Sequence, residues 1–256
     1  MPDRALSLTG QIVLVTGGSS GIGQAIALAC ATSGADVAIT YRENRAGADD
    51  TVAAITTLGR HAVARALDLT SETDVRALAL WTHDTFGRVD VWINNAGADI
   101  LTGEAATLDT VGRLDRLIAV DLRGTMLASW EAVALMRQQP GGGVIINMSW
   151  DHVISGMPGT NPQLFAAVKG GVLAFSKALA RSVAPTIRVN VIAPGWIETS
   201  FGEAVDEQVH RAVAESTPLK RWGRPEDVAG AAVYLASPAA EFLTGQTIMV
   251  GGGLVM

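Results

Sequence analysis

Ile12-Val13-Leu14-Val15-Thr16-Gly17-Gly18-Ser19-Ser20-Gly21-Ile22-Gly23-Gln24-Ala25-Ile26-Ala27-Leu28-Ala29-Cys30 changes its pattern twice. A continuous apolar run rich in β-branched residues breaks at glycines. Beyond them Ile22, Ala25, Ile26, Ala29 and Cys30 recur at i, i+3, i+4, i+7 and i+8. The run reads as a strand, the glycines as a tight turn, and the remainder as one apolar face of a helix that ends near Gly34. Cys30 falls on that face, as inert packing.

The alternation continues outward. Residues 37–41, 62–66, 89–93, 144–148 and 187–192 read as further strands, and residues 46–58, 72–86, 110–139 and 163–183 as helices between them. Strand runs this continuously apolar are buried on both faces, as in a parallel sheet with helices on each side. The expected architecture is therefore a doubly wound α/β domain of about seven strands, a single unit over residues 1–256.

Composition narrows the function. With 48% hydrophobic and 17% charged residues in 256, the chain has enough apolar material for a large core and too little charge for disorder. A net charge of −6 is the wrong sign for phosphate contacts, so no nucleic-acid partner is expected. A lone cysteine makes neither an internal disulfide nor a structural zinc site, and no metal is expected. No apolar run reaches the length of a membrane span, and Met1-Pro2-Asp3-Arg4 is not followed by a signal-peptide core. A cytoplasmic protein with no membrane partner is the simplest expectation.

In a doubly wound sheet ligands bind outside the carboxyl ends of the strands, where strand order reverses. Gly17, Gly21 and Gly23 allow backbone to approach a ligand there, and the following helix offers free N–H groups to a pyrophosphate. The segment Thr16-Gly17-Gly18-Ser19-Ser20-Gly21-Ile22-Gly23 resembles the T-G-x-x-x-G-x-G turn of the short-chain dehydrogenases/reductases. Asn94-Asn95-Ala96-Gly97, Arg188-Val189-Asn190-Val191-Ile192-Ala193-Pro194-Gly195, and Leu243-Thr244-Gly245-Gln246 with Gly251-Gly252-Gly253 resemble further motifs of that family in the same order. The pattern is 3-oxoacyl-ACP-reductase-like.

The resemblance implies a Rossmann-type fold, a nicotinamide cofactor, a small-molecule substrate and a homotetramer or homodimer. It places Gly17, Ser19, Ser20, Gly21, Ile22 and Gly23 around the pyrophosphate, Asp68 and Leu69 at the adenine, and Asn94, Ala96 and Gly97 on the adenosine ribose side. Lys169, Pro194, Gly195, Ile197 and Thr199 fall on the nicotinamide side, Thr199 at the carboxamide. The second strand ends Tyr41-Arg42. An arginine there pairs a 2′-phosphate, which favours NADP(H) over NAD(H), unless Arg42 is simply a solvated charge.

The catalytic positions depart from the family. Its Y-x-x-x-K appears here as Phe165-Ala166-Ala167-Val168-Lys169, and a phenyl ring neither donates nor accepts a proton. Counting forward from Asn147-Met148-Ser149 puts Trp150 at the family's serine. Counting back from Phe165 puts His152 there, and a two-residue insertion in residues 155–162 reconciles the counts in favour of Trp150. Asp151 and His152 then edge the pocket, as candidate acids or as solvated loop residues.

The family's asparagine appears as Asp121, on a stripe with Leu114, Leu117, Ile118, Leu122 and Thr125. A carboxylate buried there either pairs with Lys169 or takes up a proton and stays neutral. An aspartate at this place also resembles a dienoyl-CoA reductase branch that lacks the usual tyrosine.

Three readings follow. One is a reductase of an activated C=N or conjugated C=C, or of a carbonyl. The second is a cofactor-binding protein or regulatory subunit without turnover, and the third a non-redox lyase or cyclase. The substrate lid is expected at residues 196–222, where Trp196, Phe201 and Trp222 beside Glu198, Glu203, Asp206 and Glu207 suit a cationic or amphipathic ligand. A helix is expected there at about 203–215, and Arg221, Arg224 and Glu226 are expected in a structural turn with Pro225 at the first position of the next helix.

Overall fold

The computed structural model describes residues 6–199 and 205–256. Among them seven strands pair in parallel: β1 (Ile12–Val15), β2 (Asp36–Tyr41), β3 (Ala62–Ala66), β4 (Val91–Asn94), β5 (Gly143–Met148), β6 (Ile187–Pro194) and β7 (Thr247–Val250). Their order is β3-β2-β1-β4-β5-β6-β7, a Rossmann-like sheet whose direction of winding reverses between β1 and β4. Helices cover both sides: α1 (Gly21–Thr32), α2 (Arg45–Thr57), α3 (Glu72–Phe86), α4 (Thr110–Leu117), α5 (Thr125–Met136), α6 (His152–Ser155), α7 (Thr160–Val183), α8 (Glu207–Ser216) and α9 (Pro225–Ala236).

Successive strand residues face opposite layers. Val13, Val15, Ile39, Ile93 and Ile146 pack against α1 and α9, while Leu14, Trp92, Ile145 and Val189 pack against α3, α5 and α7. Cys30 is buried in the first layer, and burial pushes its thiol up to about 12. Double-sided burial weakens at the edges: β7 is only half-buried along its length, because no further strand covers it.

Two expected elements come out differently. The fourth strand begins later, at Val91, since residues 89 and 90 still belong to the connection from α3. The long helix expected over 110–139 is three pieces, with a π-helical segment, Ile118–Gly124, between α4 and α5. The wider π turn breaks the 3.6-residue phase. Ile118 is thereby 40% exposed instead of joining the buried stripe with Leu117 and Asp121.

A buried chain of polar side chains ties the sheet centre to α5 and α7. Trp92 Nε1 donates to Asn94 Oδ1 (2.8 Å), and Asn94 Nδ2 donates to Asn147 Oδ1 (2.8 Å) and Ser129 Oγ (3.0 Å). Asn147 Nδ2 then donates to Ser176 Oγ (2.9 Å), which donates to the Val172 carbonyl. Burying these groups is tolerable only because each finds a partner. Asn147→Ala is expected to destabilise the fold by ~1–3 kcal/mol for each partner left unpaired, read as a lower urea midpoint with an unchanged slope.

Candidate active site

The carboxyl ends of β1, β2, β3 and β4 open onto a cleft of about 440 Å³, lined by the turn Gly17–Gly23 without Gly18, by Arg42, Asp68 and Leu69, by Asn95 to Asp99, and by Thr199. At Gly17, where φ is +70°, a Cβ would lie 2.9 Å from the Ala96 Cα, so the turn packs against the segment after β4 only without a side chain. Asn95 holds the two together. Its Nδ2 donates to the carbonyls of Thr16 and Gly17, and the backbone N–H groups of Asn95 and Ala96 both donate to Thr16 Oγ1. Helix α1 faces the cleft with no side-chain cap from Ser20 and no acid in its first turn. Its first N–H groups and dipole are therefore available to an anion.

Twelve expected cofactor contacts divide from five others by position. Gly17, Ser19, Ser20, Gly21, Ile22, Gly23, Arg42, Asp68, Leu69, Ala96, Gly97 and Thr199 line the cleft, whereas Asn94, Lys169, Pro194, Gly195 and Ile197 do not. Asn94 turns its side chain into the buried polar chain described above, and Ile197 bridges to Gly223 in the core. Arg42 is exposed and lies 3.5 Å from Glu43, at the end of β2. Asp68 accepts from the N–H and hydroxyl of Thr70, which holds its carboxyl below the usual range. Sequence reading passed over Asn95 and Arg116. Asn95 stood in a quoted motif without a role, and Arg116 lies off the apolar stripe of α4, so its approach to the cleft depends on how α4 docks.

Beyond the cleft, Lys169 Nζ lies 2.8 Å from Asp121 Oδ2, and the N–H of Ala98 donates to Asp121 Oδ1 (2.7 Å). Both carboxylate oxygens accept, the arrangement of an ionised acid beside an ammonium. Lys169 also reaches the Met148 carbonyl at 3.5 Å. Ser149 is committed elsewhere, its hydroxyl donating to the Lys169 carbonyl. Phe165 sits one turn before Lys169 on α7, 6.3 Å from the Trp150 ring, which stacks in turn on His152 at 4.9 Å and 21°. The loop expected to carry Asp151 and His152 is instead a short helix, α6, and both side chains are buried. Asp151 Oδ1 lies 2.6 Å from His152 Nδ1. Burial pushes the Asp151 carboxyl above the usual carboxylate range, partly offset by the His152 hydrogen bond.

In the expected lid, Trp222 is buried and serves as an anchor: its Nε1 donates to the His210 carbonyl, and the His210 ring stacks on it at 4.6 Å. Trp196 leans on the same ring at 5.1 Å. Asp206 caps α8 and Glu207 pairs with Arg211, which assigns these acids to the helix surface. The helix begins at Glu207; Phe201 and Glu203 lie outside the described residues. Pro225 opens α9 as expected, while Arg221 pairs with both oxygens of Asp227.

The sequence profile described as Enoyl-(Acyl carrier protein) reductase matches residues 16–255. The chain belongs to the short-chain dehydrogenase/reductase superfamily. Within this family of oxidoreductases it is similar to a 3-oxoacyl-[acyl-carrier-protein] reductase of Synechocystis, 37% identical over 98% of this chain and 99% of that protein. Among solved structures, a 7α-hydroxysteroid dehydrogenase complexed with NADH and 7-oxo glycochenodeoxycholic acid matches with a TM-score of 0.89 and 31% identity, over 100% of this chain and 98% of that one. A short-chain dehydrogenase of Burkholderia cenocepacia in complex with NADP matches with a TM-score of 0.86 and 31% identity, over 96% and 98%. Members of the superfamily bind NAD(P)(H), and the cleft of this short-chain dehydrogenase/reductase has the free helix terminus such a pyrophosphate needs.

Two tests follow from this geometry. Lys169→Met leaves Asp121 buried and unpaired and is expected to cost ~3–5 kcal/mol. The Lys169→Met/Asp121→Asn double variant should recover part of that loss, as read by urea unfolding of all four species. Asp227 is held down to about 2 by Arg221 and the Arg224 N–H. Because its folded value is depressed, the bond's contribution is present above the ordinary carboxylate value of 3.8 and is lost as pH falls from there through about 2. Asp227→Asn should therefore lower the melting temperature at pH 6, and the difference should shrink towards zero as pH falls through about 2.

Proposed function

We propose that this chain is an NADP(H)-dependent reductase with an atypical active site, acting on an activated C=N or conjugated C=C, or on a carbonyl, of a small molecule. The observation that carries this reading is the pairing of an open cleft, complete in its turn and free helix terminus, with a buried lysine one helical turn from Phe165. In it Ser19, Ser20 and Ile22 hold the pyrophosphate, Asp68 and Leu69 meet the adenine, and Ala96 and Gly97 the adjoining ribose. Asn94 contributes from behind, by setting the end of β4. Arg42 pairs the 2′-phosphate, which makes NADP(H) preferred and NAD(H) the weaker alternative. Thr199 orients the carboxamide, with Pro194, Gly195 and Ile197 shaping the strand end that presents it.

When bound, the reduced nicotinamide supplies a hydride. Lys169 orients the nicotinamide ribose, and Asp121 holds the ammonium in place for that task. Phe165 and Trp150 give the substrate two aromatic walls, and the proton comes from a group other than a phenol. The only tyrosines, Tyr41 and Tyr234, are at the end of β2 and on α9. A cofactor-binding protein without turnover is the second reading, favoured by one observation: Asp121 occupies the ammonium that a turnover site needs at the ribose. We further infer a homotetramer or homodimer in the cytoplasm. The exposed Trp130 on α5 and the exposed Ile118 support assembly, and no helix among the described residues is long and apolar enough to cross a membrane.

Calorimetric titration with NADPH and with NADH tests the cofactor. Arg42→Ala should weaken NADPH by ~1.5–3 kcal/mol, the size of a charged hydrogen bond, and leave NADH alone. Equal losses for both would overturn the role of Arg42, and no binding of either would overturn the reductase. If the missing phenol limits carbonyl chemistry, Phe165→Tyr should raise ketone reduction, and an unchanged rate would mean that Trp150 or Asp121 obstructs the ketone.

A further inference from the structure

Asp151 occupies the N-cap position of α6, where an aspartate ordinarily accepts from the helix's own N–H groups. Here it makes no such bond. Its carboxylate turns inward, with Oδ1 at 2.6 Å from His152 Nδ1 and Oδ2 fully buried without a hydrogen-bond partner. The seat for Oδ2 is made by two glycines from separate strand ends. A Cβ on Gly195, after β6, would lie 2.5 Å from Oδ2, and a Cβ on Gly251, after β7, would overlap it. A buried carboxylate oxygen without a partner costs about 1–3 kcal/mol or more, so the chain forgoes a cap and bears a penalty to hold this acid against one imidazole.

The imidazole is correspondingly fixed. Trp150 stacks on its face and Asp151 sets its rotation about that stack. The opposite ring nitrogen, Nε2, is neither hydrogen-bonded nor among the fully enclosed polar atoms, and the imidazole has no further hydrogen-bond partner among the described residues. The neighbouring groups with protons to give are engaged: Lys169 with Asp121, and Ser149 with the Lys169 carbonyl. Trp150 contacts both rings, His152 at 4.9 Å and Phe165 at 6.3 Å between centroids, so the imidazole is one aromatic ring removed from Phe165.

We propose that His152 donates the proton of this site through Nε2–H, that Asp151 is the positioning residue fixing Nδ1–H, and that Gly195 and Gly251 are required as the seat of the Asp151 carboxylate. The proposal rests on the reductase reading and narrows its substrate to one that needs a proton as well as a hydride: a conjugated enone or a neutral imine. In the step, the Nε2–H bond breaks, the proton goes to the enolate carbon or the imine nitrogen, and the electron pair stays on Nε2. The hydride from the reduced nicotinamide completes the two-electron reduction, and Nε2 regains its proton from water.

Two measurements on the protein with NADPH test this. In the proton NMR spectrum of protein carrying 15N-histidine, a strongly deshielded ring N–H is expected that disappears in His152→Gln. It should move markedly upfield in Asp151→Asn and in Gly251→Ala. In turnover assays with 2-cyclohexen-1-one and 2-methyl-1-pyrroline, His152→Gln is expected to lower kcat by roughly 10²–10⁴-fold, the usual share of a general acid. NADPH affinity and KM should stay within a few-fold, and Asp151→Asn should likewise lower kcat more than it changes KM. Absence of the deshielded resonance in the parent protein overturns the positioning role. A kcat that survives His152→Gln, or the folded His152→Asn, within about threefold overturns the donor role while leaving the reductase standing. Tight NADPH binding with no turnover of either probe overturns the donor role together with the reductase reading, and the resonance then reports a structural pair.

Discussion

Parallel pairing of all seven strands is the constraint on which the rest of this structure depends. It sends every strand in the same direction, so every carboxyl end meets one edge of the sheet, and the connections leaving that edge come together although they are distant in the chain. The glycine turn after β1, the Asn95 segment after β4, α6 after β5, and the glycines after β6 and β7 become neighbours for this reason. Reversal of winding between β1 and β4 opens the cleft between them. Because both faces of the sheet are covered by helices, the edge is the surface left for a ligand.

The same edge concentrates charge. Asp121 and Lys169 arrive from different helices and neutralise one another in a place where either alone would be costly. The π segment makes this meeting geometrically natural, since it turns Asp121 inward beside the Ala98 N–H while Ile118 is carried outward. Asp151 and His152 form a second, smaller pair whose shape is set by the absence of side chains at Gly195 and Gly251. The two pairs flank Met148 and Trp150, at the end of β5.

Legibility in the sequence followed the range of the interactions concerned. The β1 turn, α1 and most element positions depend on residue type and on neighbours three or four places away, and these were readable from periodicity and glycine spacing. Edges were less so. The start of β4 and the break of the long helix at Ile118 depend on what packs against them, and periodicity alone extends each too far. Trp222 illustrates the same limit: its aromatic character suggested a ligand wall, whereas the His210 carbonyl and ring hold it as an anchor under α8.

Family membership and the doubly wound sheet were determined by the sequence itself, because each is written in residue identity and local spacing. The pairing of Asp121 with Lys169 stood as one of two alternatives there; the tertiary structure decided it, by bringing α7 against the π segment. Likewise Asp151 and His152 were adjacent candidates of undecided role. Only the folded chain places Gly195 and Gly251 against the Asp151 carboxylate and Trp150 against the imidazole, because those contacts join segments that no local pattern relates.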